Sequence, residues 1–316
     1  MKLFIQNLLL SLFSIKLLTN KFNPILLYHS LGSSSKFVDN IDHVSLEILS
    51  IQLKSIQKYW KFVSIDEYVN TKIKKKLACI TIDDGYKNVI NESLKVFKNL
   101  NIPITIFINS STFEGKIFWR DKIRYFIDHN LVQQYIKNSC IFKKEHIKNF
   151  YSISKDPKFS SIQVEKDMDN FLYKESIRID DSYKCCFDSE KYLIKDDLVS
   201  YGNHTANHYM LSSLSKQEQY EEIIKCKNFI DKLDVNKSEV FSIPFGGVNS
   251  FNQDTLINLK NLNYKTFLTT TNNLDDTKIP NQISRFMPKL HKIENTLKKI
   301  FLKKIINSAN CAFIQS

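Results

Sequence analysis

Residues Thr81-Ile82-Asp83-Asp84-Gly85 place two neighbouring acids and a glycine at the end of an apolar run. The residues that precede the two acids are apolar, which is typical of a buried strand. The glycine then favours a turn, because it tolerates backbone conformations that bulkier residues resist. Burial of two neighbouring carboxylates is costly unless each has a partner, and a divalent cation would supply one. The stretch alone equally describes a solvated turn, so the rest of the chain must decide.

The segments around this stretch predict a parallel α/β sheet. Apolar spacing predicts a helix at about 87–100, and an apolar run predicts a strand over 103–108. Strand, helix and strand with short links form a βαβ unit, so we expect parallel strands. An earlier strand, 24–28, ends just before His29. Ligands bind at the carboxyl ends of such strands, so His29 is a candidate to meet the two acids, although a structural role is equally open.

A later polar stretch carries two histidines. It follows a short strand predicted over 198–201 and contains His204 and His208. If the segment turns helically, histidines four apart lie on one face, and both imidazoles can reach one metal ion. Chance pairs with this spacing are common. With Asp84, however, the pair completes a set of two histidines and one carboxylate, which leaves coordination positions for water and substrate.

A third turn follows the strand predicted over 240–243. Its sequence, Pro-Phe-Gly-Gly at 244–247, predicts a stiff turn whose backbone a ligand can approach closely. A backbone N–H in such a turn would stabilise an oxyanion, although a plain tight turn has the same sequence. A last strand predicted over 283–287 carries Arg285.

The segment from 113 to 195 differs from this pattern. It is polar and rich in lysine, aspartate and tyrosine, and its apolar residues have helical spacing where they occur. This composition predicts a largely helical insertion that covers the mouth or the flank of the domain. Trp119-Arg120-Asp121, at its start, is a candidate either for substrate contact or for a buried anchor.

The two ends of the chain suggest contact with a membrane surface or with the domain itself. Residues 1–20 are rich in leucine, but the run is short for a spanning helix and contains a lysine. No small-x-small cleavage site follows, so we prefer an amphipathic helix; an uncleaved anchor or secretion stays an alternative. Residues 289–316 predict a basic amphipathic helix with a solvated or membrane-binding lysine face. The expected location is cytoplasmic or membrane-associated.

Composition narrows the classes of function. The 316 residues suffice for one large α/β domain with an insertion. The net charge is +12, but lysine greatly outnumbers arginine and no nucleic-acid motif is visible, so we expect no nucleic-acid partner. The six cysteines form no Cys-x-x-Cys pair, which favours reduced thiols. The oligomeric state stays open.

Taken in order, three motifs resemble those of the polysaccharide deacetylases of the NodB-homology superfamily, carbohydrate esterase family four. Thr-Phe-Asp-Asp-Gly corresponds to residues 81–85. The family's second motif, a histidine followed by Ser/Thr and a later histidine, in the form with three residues between the histidines, corresponds to His-Thr-Ala-Asn-His at 204–208. Arg-x-Pro-Tyr-Gly, found in many members, corresponds to Ser-Ile-Pro-Phe-Gly at 242–246. The resemblance covers about 24–112 and 197–287. It implies an α/β fold, a distorted (β/α)7-type barrel with fewer than eight strands and a largely helical insertion.

The resemblance also implies a role for each residue of the site. A divalent metal ion, with zinc as the expected one, would be held by Asp84, His204 and His208. Asp83 would act as the general base that activates water, and the backbone N–H of Phe245 would help to hold the oxyanion. Two histidines and one carboxylate also suit cobalt, nickel and iron.

Two departures from the family's pattern leave two roles open. Ser242 stands where many members have the arginine that steadies the base, and Arg285 is our candidate to replace it. The family's late Leu-x-His motif, which supplies the general acid, is not evident, and His291 in the basic tail matches it poorly. Relatives with Tyr-His on the first strand look circularly rearranged, so His29 is our candidate for the acid.

These observations predict a metal-dependent hydrolase that removes N-acetyl groups from a carbohydrate, either a polysaccharide or a glycan precursor, in cell-envelope or surface-polysaccharide metabolism. The alternatives are a non-catalytic, metal-containing barrel that binds carbohydrate, and a deformylase or O-deacetylase of a lipid-linked sugar. The predicted division of the chain is an apolar helix at 1–20, a deacetylase barrel at 21–288 with an insertion at about 113–195, and a basic helix at 289–316.

Overall fold

The computed structural model describes Thr19 and residues 22–32, 43–270 and 279–288. The predicted helix at 289–316 lies outside the described residues, as does the one at 1–20 except for Thr19. Within the described ranges, no helix is both long enough and apolar enough to cross a membrane. Contact of the two ends with a membrane therefore stays a prediction.

Parallel strands form the centre of the molecule. The strands of the described residues are β1 (Ile25–Tyr28), β2 (Ser30–Gly32), β3 (His43–Ser45), β4 (Lys61–Phe62), β5 (Leu77–Ile82), β6 (Ile104–Ile108), β7 (Val199–Asn203), β8 (Lys237–Ser242), β9 (Phe267–Thr269) and β10 (Gln282–Ser284). The main sheet has the order β1-β5-β6-β7-β8-β9-β10, and β4 pairs with β5 beside this path. The short pair β2-β3 forms a separate ribbon.

The two edges of the main sheet meet. The N–H of Leu27 donates to the carbonyl of Phe286 at 2.9 Å, and the N–H of Phe286 donates to the carbonyl of Ile25 at 3.1 Å. These bonds join the segment after β10 to β1, so the seven-stranded sheet curls into a barrel surrounded by helices. The predicted (β/α)7-type barrel is therefore confirmed.

The sequence explains why the inner strands form. β5 and β6 read as runs of apolar and β-branched residues, and all of their side chains except Leu77 are buried. Strands of parallel sheets are covered on both faces, so they show continuous apolar runs rather than alternation. The carboxyl ends of β5, β7 and β8 consequently lie at the same end of the barrel, where their loops can meet.

Helices connect and cover the strands. They are α1 (Leu46–Gln57), α2 (Ile65–Asn70), α3 (Leu94–Asn99), α4 (Trp119–Asp128), α5 (Val132–Asn138), α6 (Phe150–Ile153), α7 (Ser161–Lys174), α8 (Lys216–Lys232) and α9 (Gln253–Asn261). The helix predicted at 87–100 begins as a wide π turn, Val89–Ser93, before α3. Ser215 and Glu218 form a capping box at the start of α8.

The connection between β6 and β7 contains four of these helices, α4 to α7. Its aromatic side chains pack in edge-to-face pairs, for example Phe126 with Tyr135 at 5.1 Å between ring centroids. They belong to the same apolar cluster as the barrel strands, so this connection shares the core of the barrel. Its first helix, α4, brings polar side chains to the end of the barrel where the motif residues lie.

Candidate active site

The motif residues line one cavity at the carboxyl ends of the strands. Asp83 and Asp84 directly follow β5, His204 follows β7, and Phe245 lies in the turn after β8. The cavity is lined by Leu27, His29, Asp83, Asp84, Phe118, Arg120, Arg124, Tyr151, Lys155, His204, His208, Phe245, Thr270 and Met287. Residues far apart in sequence therefore meet here because their strands are parallel neighbours.

Asp84, His204 and His208 form the centre of the cavity. Asp84 Oδ1 lies 3.4 Å from His204 Nε2 and 3.3 Å from His208 Nε2, and all three residues are buried. One ligand atom of each lies within 4.8 Å of the others. The structure thus brings together the three residues that the sequence predicts as metal ligands.

The donor atoms of this cluster fit a metal ion. His204 Nδ1 must donate its proton to the carbonyl of Ser242, at 2.8 Å, because a carbonyl only accepts. In a neutral imidazole, Nε2 then carries a lone pair, the form that binds metal, and that lone pair faces Asp84. Asp84 Oδ1 is buried and accepts no hydrogen bond from the described residues. A cation between these atoms would satisfy the buried carboxylate oxygen.

The protonation states of Asp84 and His208 also suit ligation. Burial would lower the pKa of His204, but Asp83 and Asp84 outweigh burial and raise that pKa above its ordinary value, so a metal ion at His204 would replace a proton. Burial would raise the pKa of Asp84, but the neighbouring His208 and His204 outweigh it and hold the pKa well below its usual range. Burial, assisted by the charge of His204, lowers the pKa of His208 to about 3. An ionised carboxylate and a neutral imidazole are the forms that coordinate metal. The histidine and carboxylate donor set is consistent with a divalent transition metal and does not select one.

Asp83 is held by an arginine from another strand. Arg285 Nη1 donates to Asp83 Oδ1 and Nη2 donates to Oδ2, both at 2.7 Å. Ser242 Oγ donates to Oδ2 at 3.1 Å and accepts from Arg285 Nη2 at 2.9 Å. Burial would raise the pKa of Asp83, but Arg285 and then His204 outweigh it and lower the pKa below its ordinary value. Asp83 is therefore a fixed, ionised carboxylate.

Ser242 and Arg285 belong to one hydrogen-bond network around Asp83. In the sequence, Ser242 is the position where the family's arginine is absent, and Arg285 is the candidate to replace that arginine. The serine hydroxyl bridges the carboxylate and the guanidinium. Arg285 Nη1 also lies 3.3 Å from Thr81 Oγ1. The Asp83 Oδ2 atom lies 3.6 Å from His204 Nε2, so the carboxylate faces the same hollow as the three-residue cluster.

The two histidines are not on a helix. Residues 204–208 form an irregular loop in which Thr205 and His208 have φ angles of 68° and 58°. Asn203 Oδ1 accepts from the Thr205 N–H at 2.8 Å, and Thr205 Oγ1 accepts from the His208 N–H at 2.9 Å. These side-chain bonds replace the helical backbone bonds. The helical turn that motivated the spacing argument is therefore wrong, although the two imidazoles converge.

Backbone strain is concentrated at the site. Asp84 and Phe245 also have left-handed φ angles, of 71° and 63°. Residues with a side chain seldom adopt this conformation, which costs of the order of 1 kcal/mol per residue. Gly246, beside Phe245, also has a positive φ, and a Cβ there would lie only 2.7 Å from the Thr270 nitrogen. The predicted stiff turn thus brings backbone to the cavity wall.

Phe245 and His29 occupy the wall of the cavity. The Phe245 ring packs against His208 at 4.6 Å between centroids. Its backbone N–H donates to no acceptor in the described part of the chain, so it is available for a bound group. His29 lines the cavity, and its Nδ1 is buried without a hydrogen-bond partner among the described residues.

Sequence reasoning missed most of the wall that the β6–β7 connection supplies. Phe118, Arg124, Tyr151 and Lys155 line the cavity, and no local motif marks them. Only the stretch Trp119-Arg120-Asp121 indicated this wall in the sequence, as a candidate for substrate contact or for a buried anchor. Each of these two interpretations applies to a different residue. The Trp119 indole N–H donates to the carbonyl of His208 at 2.9 Å and anchors the connection, whereas Arg120 lines the cavity.

Comparisons with known proteins agree with this geometry. The family model described as "Polysaccharide deacetylase" matches residues 187–267, which include His204, His208 and Phe245. A search of curated proteins finds no significant match.

Solved structures share the fold at low identity. Streptococcus pyogenes deacetylase PplD, in complex with acetate, is 19% identical; the match covers 88% of this chain and 97% of PplD, with a TM-score of 0.50. IcaB from Ammonifex degensii is 14% identical, with 88% and 96% covered and a TM-score of 0.51. The BpsB deacetylase domain from Bordetella bronchiseptica is 14% identical, with 84% and 94% covered and a TM-score of 0.50. At such identities these likenesses establish the fold.

The chain therefore has the fold of these deacetylases, and its residues 187–267 match the polysaccharide deacetylase family model. The predicted resemblance is confirmed, and the predicted enzyme class agrees with that match.

Proposed function

We propose that this protein is a metal-dependent hydrolase that removes N-acetyl groups from a carbohydrate in cell-envelope or surface-polysaccharide metabolism. The observation that carries the proposal is the convergence of Asp84, His204 and His208 beside the fixed carboxylate of Asp83. The family match supports an acetylated carbohydrate as the substrate. Acetate, which is bound in the PplD structure, is the product that such a reaction releases.

Asp84, His204 and His208 would hold a divalent metal ion, for which we propose zinc. When bound, such an ion supplies a Lewis acid that lowers the pKa of water and polarises a carbonyl. The lone pair on His204 Nε2 and the unpartnered Oδ1 of Asp84 support this assignment.

Asp83 would take the proton from the water that attacks the amide carbonyl. Its oxygens are fixed by two bonds from Arg285 and one from Ser242, so no reorientation is needed at the moment of transfer. The ionised state that Arg285 enforces is the state that a base requires. Arg285 would therefore act as a positioning residue for Asp83.

The remaining two roles follow from the cavity wall. The uncommitted N–H of Phe245 would donate to the oxyanion that forms when the carbonyl is attacked. His29 would give a proton to the departing amine, because its unpartnered Nδ1 lies in the wall of the same cavity. Breakage of the carbon–nitrogen bond then yields acetate and the free amino sugar.

The test measures metal content and acetate release in the same preparations. Purified protein is expected to hold about one divalent ion per chain and to release acetate from at least one member of a panel of N-acetylated oligosaccharides. His204→Ala removes one ligand, so the bound ion and the activity should both be lost. His146→Ala, a histidine outside the cavity lining, is the matched control and should keep both.

Two results would contradict the proposal. Full activity in protein stripped of metal by a chelator would overturn metal dependence. Metal binding without acetate release from the whole panel would favour the alternative of a non-catalytic barrel that binds carbohydrate. Release of formate, or of acetate from esters alone, would instead favour the deformylase or O-deacetylase alternative.

A further inference from the structure

Arg120 is a buried cation without a carboxylate partner in the described part of the chain. Only 2% of its surface is exposed. Nη1 donates to Ser154 Oγ and Nη2 donates to the carbonyl of Tyr151, both at 2.9 Å, and Nε has no partner. Both acceptors are neutral. Burial lowers the pKa of Arg120 to about 10, so the side chain stays charged at neutral pH.

The other buried cations that the structure describes are all paired with carboxylates. Lys122 Nζ lies 2.7 Å from Glu165 Oε1, and Arg285 forks onto Asp83. Arg124 donates to Asp121. Burial of an unpaired charge is costly, and proteins avoid it unless something else compensates. Arg120 is therefore the exception among them, and a bound anion would compensate its charge.

Arg120 also lies where a substrate would meet it. Its side chain lines the same cavity as Asp83 and Asp84. Its guanidinium carbon is 5.7 Å from the centroid of the Phe245 ring, and the His208 ring centroid lies 4.6 Å from the same ring. The guanidinium and the proposed metal ligands thus flank one aromatic side chain, a separation that one or two sugar residues can span.

The surroundings of Arg120 hold it in a fixed orientation. Its guanidinium carbon lies 4.7 Å from the Trp119 ring centroid and 4.5 Å from that of Tyr151. Such stacking restrains the planar group and leaves its edge to make paired hydrogen bonds. Lys155 also lines the cavity and lies over the Tyr151 and Phe245 rings, so a second cation is on the same side.

We propose that Arg120 forms a subsite for an anionic group on the substrate, a phosphate or a carboxylate close to the N-acetyl sugar. The inference rests on the proposed function and narrows its substrate class to anionic acetylated glycans or glycan precursors. Arginine binds the oxygens of either group through two parallel hydrogen bonds. The anion would supply the countercharge that the described residues do not provide.

A merely structural role predicts something different. Arg120 joins α4 to α6 through the carbonyl of Tyr151 and to the residue that follows α6, Ser154, so its loss would weaken the fold and affect all substrates alike. A subsite instead affects charged substrates selectively, and it does so through KM. The experiment therefore compares matched substrates as well as variants.

The first arm uses the unchanged holoenzyme. Acetate release is measured from an uncharged N-acetylglucosamine disaccharide, from the same disaccharide carrying a phosphate, and from one carrying a uronic acid. We expect kcat/KM to be at least about tenfold higher for one of the charged substrates. The preferred member tells phosphate from carboxylate. Equal or better cleavage of the neutral disaccharide would overturn the subsite while leaving the proposed function intact.

The second arm uses variants. Arg120→Gln should raise KM for the preferred charged substrate about tenfold or more, with kcat and the neutral substrate little changed. Arg120→Lys keeps the charge, so its KM for the charged substrate should lie between those of the wild type and of Arg120→Gln. Lys137→Gln makes the same charge change at an exposed position on α5 and should have no effect. An equal loss on neutral and charged substrates would show a structural role and overturn the proposal.

Binding of inorganic phosphate provides a readout that does not need turnover. Calorimetry on the holoenzyme should detect binding that Arg120→Gln weakens about tenfold and Lys137→Gln does not. If no member of the oligosaccharide panel is cleaved, the proposed function fails, and the phosphate-binding measurement still decides whether Arg120 forms an anion subsite. Phosphate binding that is the same in all three proteins would overturn it. If Arg120→Gln does not fold, the subsite is tested by Arg120→Lys and by the preference of the wild-type enzyme for charged over neutral disaccharides.

Discussion

Two buried aspartate–arginine pairs in this protein have opposite effects on the carboxylate. At the end of the barrel, both oxygens of Asp83 accept from Arg285, and the pKa of Asp83 falls. In helix α4, only one of the two oxygens of Asp121, Oδ1, accepts from Arg124. The other oxygen, Oδ2, is buried without a partner in the described structure. Burial there outweighs Arg124 and raises the pKa of Asp121 to about 6.

These two pairs contain the same residue types, so the geometry of the contact determines whether the pKa of a buried carboxylate is lowered or raised. Arg285 approaches from a segment 202 positions away, so its planar fork can face Asp83 squarely. Arg124 is three residues from Asp121 on the same helix, and the helix fixes its direction of approach. In the proposed function the barrel pair supplies the catalytic base, whereas in the α4 pair Arg124 lines the wall of the cavity.

Substitution of the two aspartates by asparagine should show the largest contrast. Asp83→Asn removes the proposed base and should lower kcat by roughly 10²–10⁴-fold, because general base catalysis contributes about that much. Asp121→Asn, the matched change in the other pair, should lower kcat far less. The measurement is acetate release, with metal content determined in both variants.

Metal content makes this comparison decisive. Asp83 is not one of the proposed ligands, so Asp83→Asn should keep the metal while losing turnover. Normal turnover in Asp83→Asn would refute the assignment of the base. A loss of metal in that variant would show instead that Asp83 is a ligand.

Replacement of the two arginines by lysine should give the second largest contrast. Lysine keeps the positive charge but cannot make two parallel bonds, so Arg285→Lys should leave Asp83 misaligned. A misplaced catalytic group costs about 10²-fold in kcat, whereas Arg124→Lys should cost much less. Steady-state kinetics on both variants checks this. Equal losses would mean that the fork on Asp83 has no special role.

The smallest expected effect is on the pH dependence of stability. The pKa of Asp121 is about 6 in the folded protein, above its ordinary value of 3.8. The folded state therefore binds more protons between these values, and this contribution to stability is lost as pH rises through about 4 to 6. Asp121→Asn cannot titrate, so its free energy of unfolding should fall less over this range, by roughly 1–3 kcal/mol.

Urea unfolding of the wild type and of Asp121→Asn at pH 4 and pH 7 tests this prediction. Groups that titrate in both proteins cancel in the comparison, which isolates the contribution of Asp121. The same difference between the two proteins at both pH values would show that the pKa of Asp121 is the same in the folded and unfolded states, and would contradict the prediction.

Much of the fold was predictable from local sequence. The apolar run of β5, the helical spacing of α1 and the capping box of α8 are local patterns that each predict a strand or a helix from a few residues. Parallel order followed from the alternation of strands and helices. The π turn at the start of the helix after β5 was not predictable, because it depends on packing rather than on spacing.

The candidate site was predictable as a set of residues but not as a geometry. The motif pattern marked the two histidines, yet the loop that carries them is irregular and uses left-handed backbone at Thr205 and His208. Ser242 and Arg285 formed one network that no local pattern indicates. Arg120 was marked only by its neighbours in sequence, and its missing countercharge is visible only in three dimensions.

The sequence by itself determined which segments are buried, where strands end and which acids and histidines stand at those ends, since apolar pattern and turn chemistry are local properties. Tertiary structure alone decided which charge meets which. Among the residues that the structure describes, the ionised Asp83, the unpartnered oxygen of Asp84 and the Arg120 without a carboxylate partner all depend on side chains brought together by neighbouring strands and by the helices between β6 and β7. The strength of a charge interaction is set by distance, direction and exclusion of water, and none of these is written in a single stretch of chain.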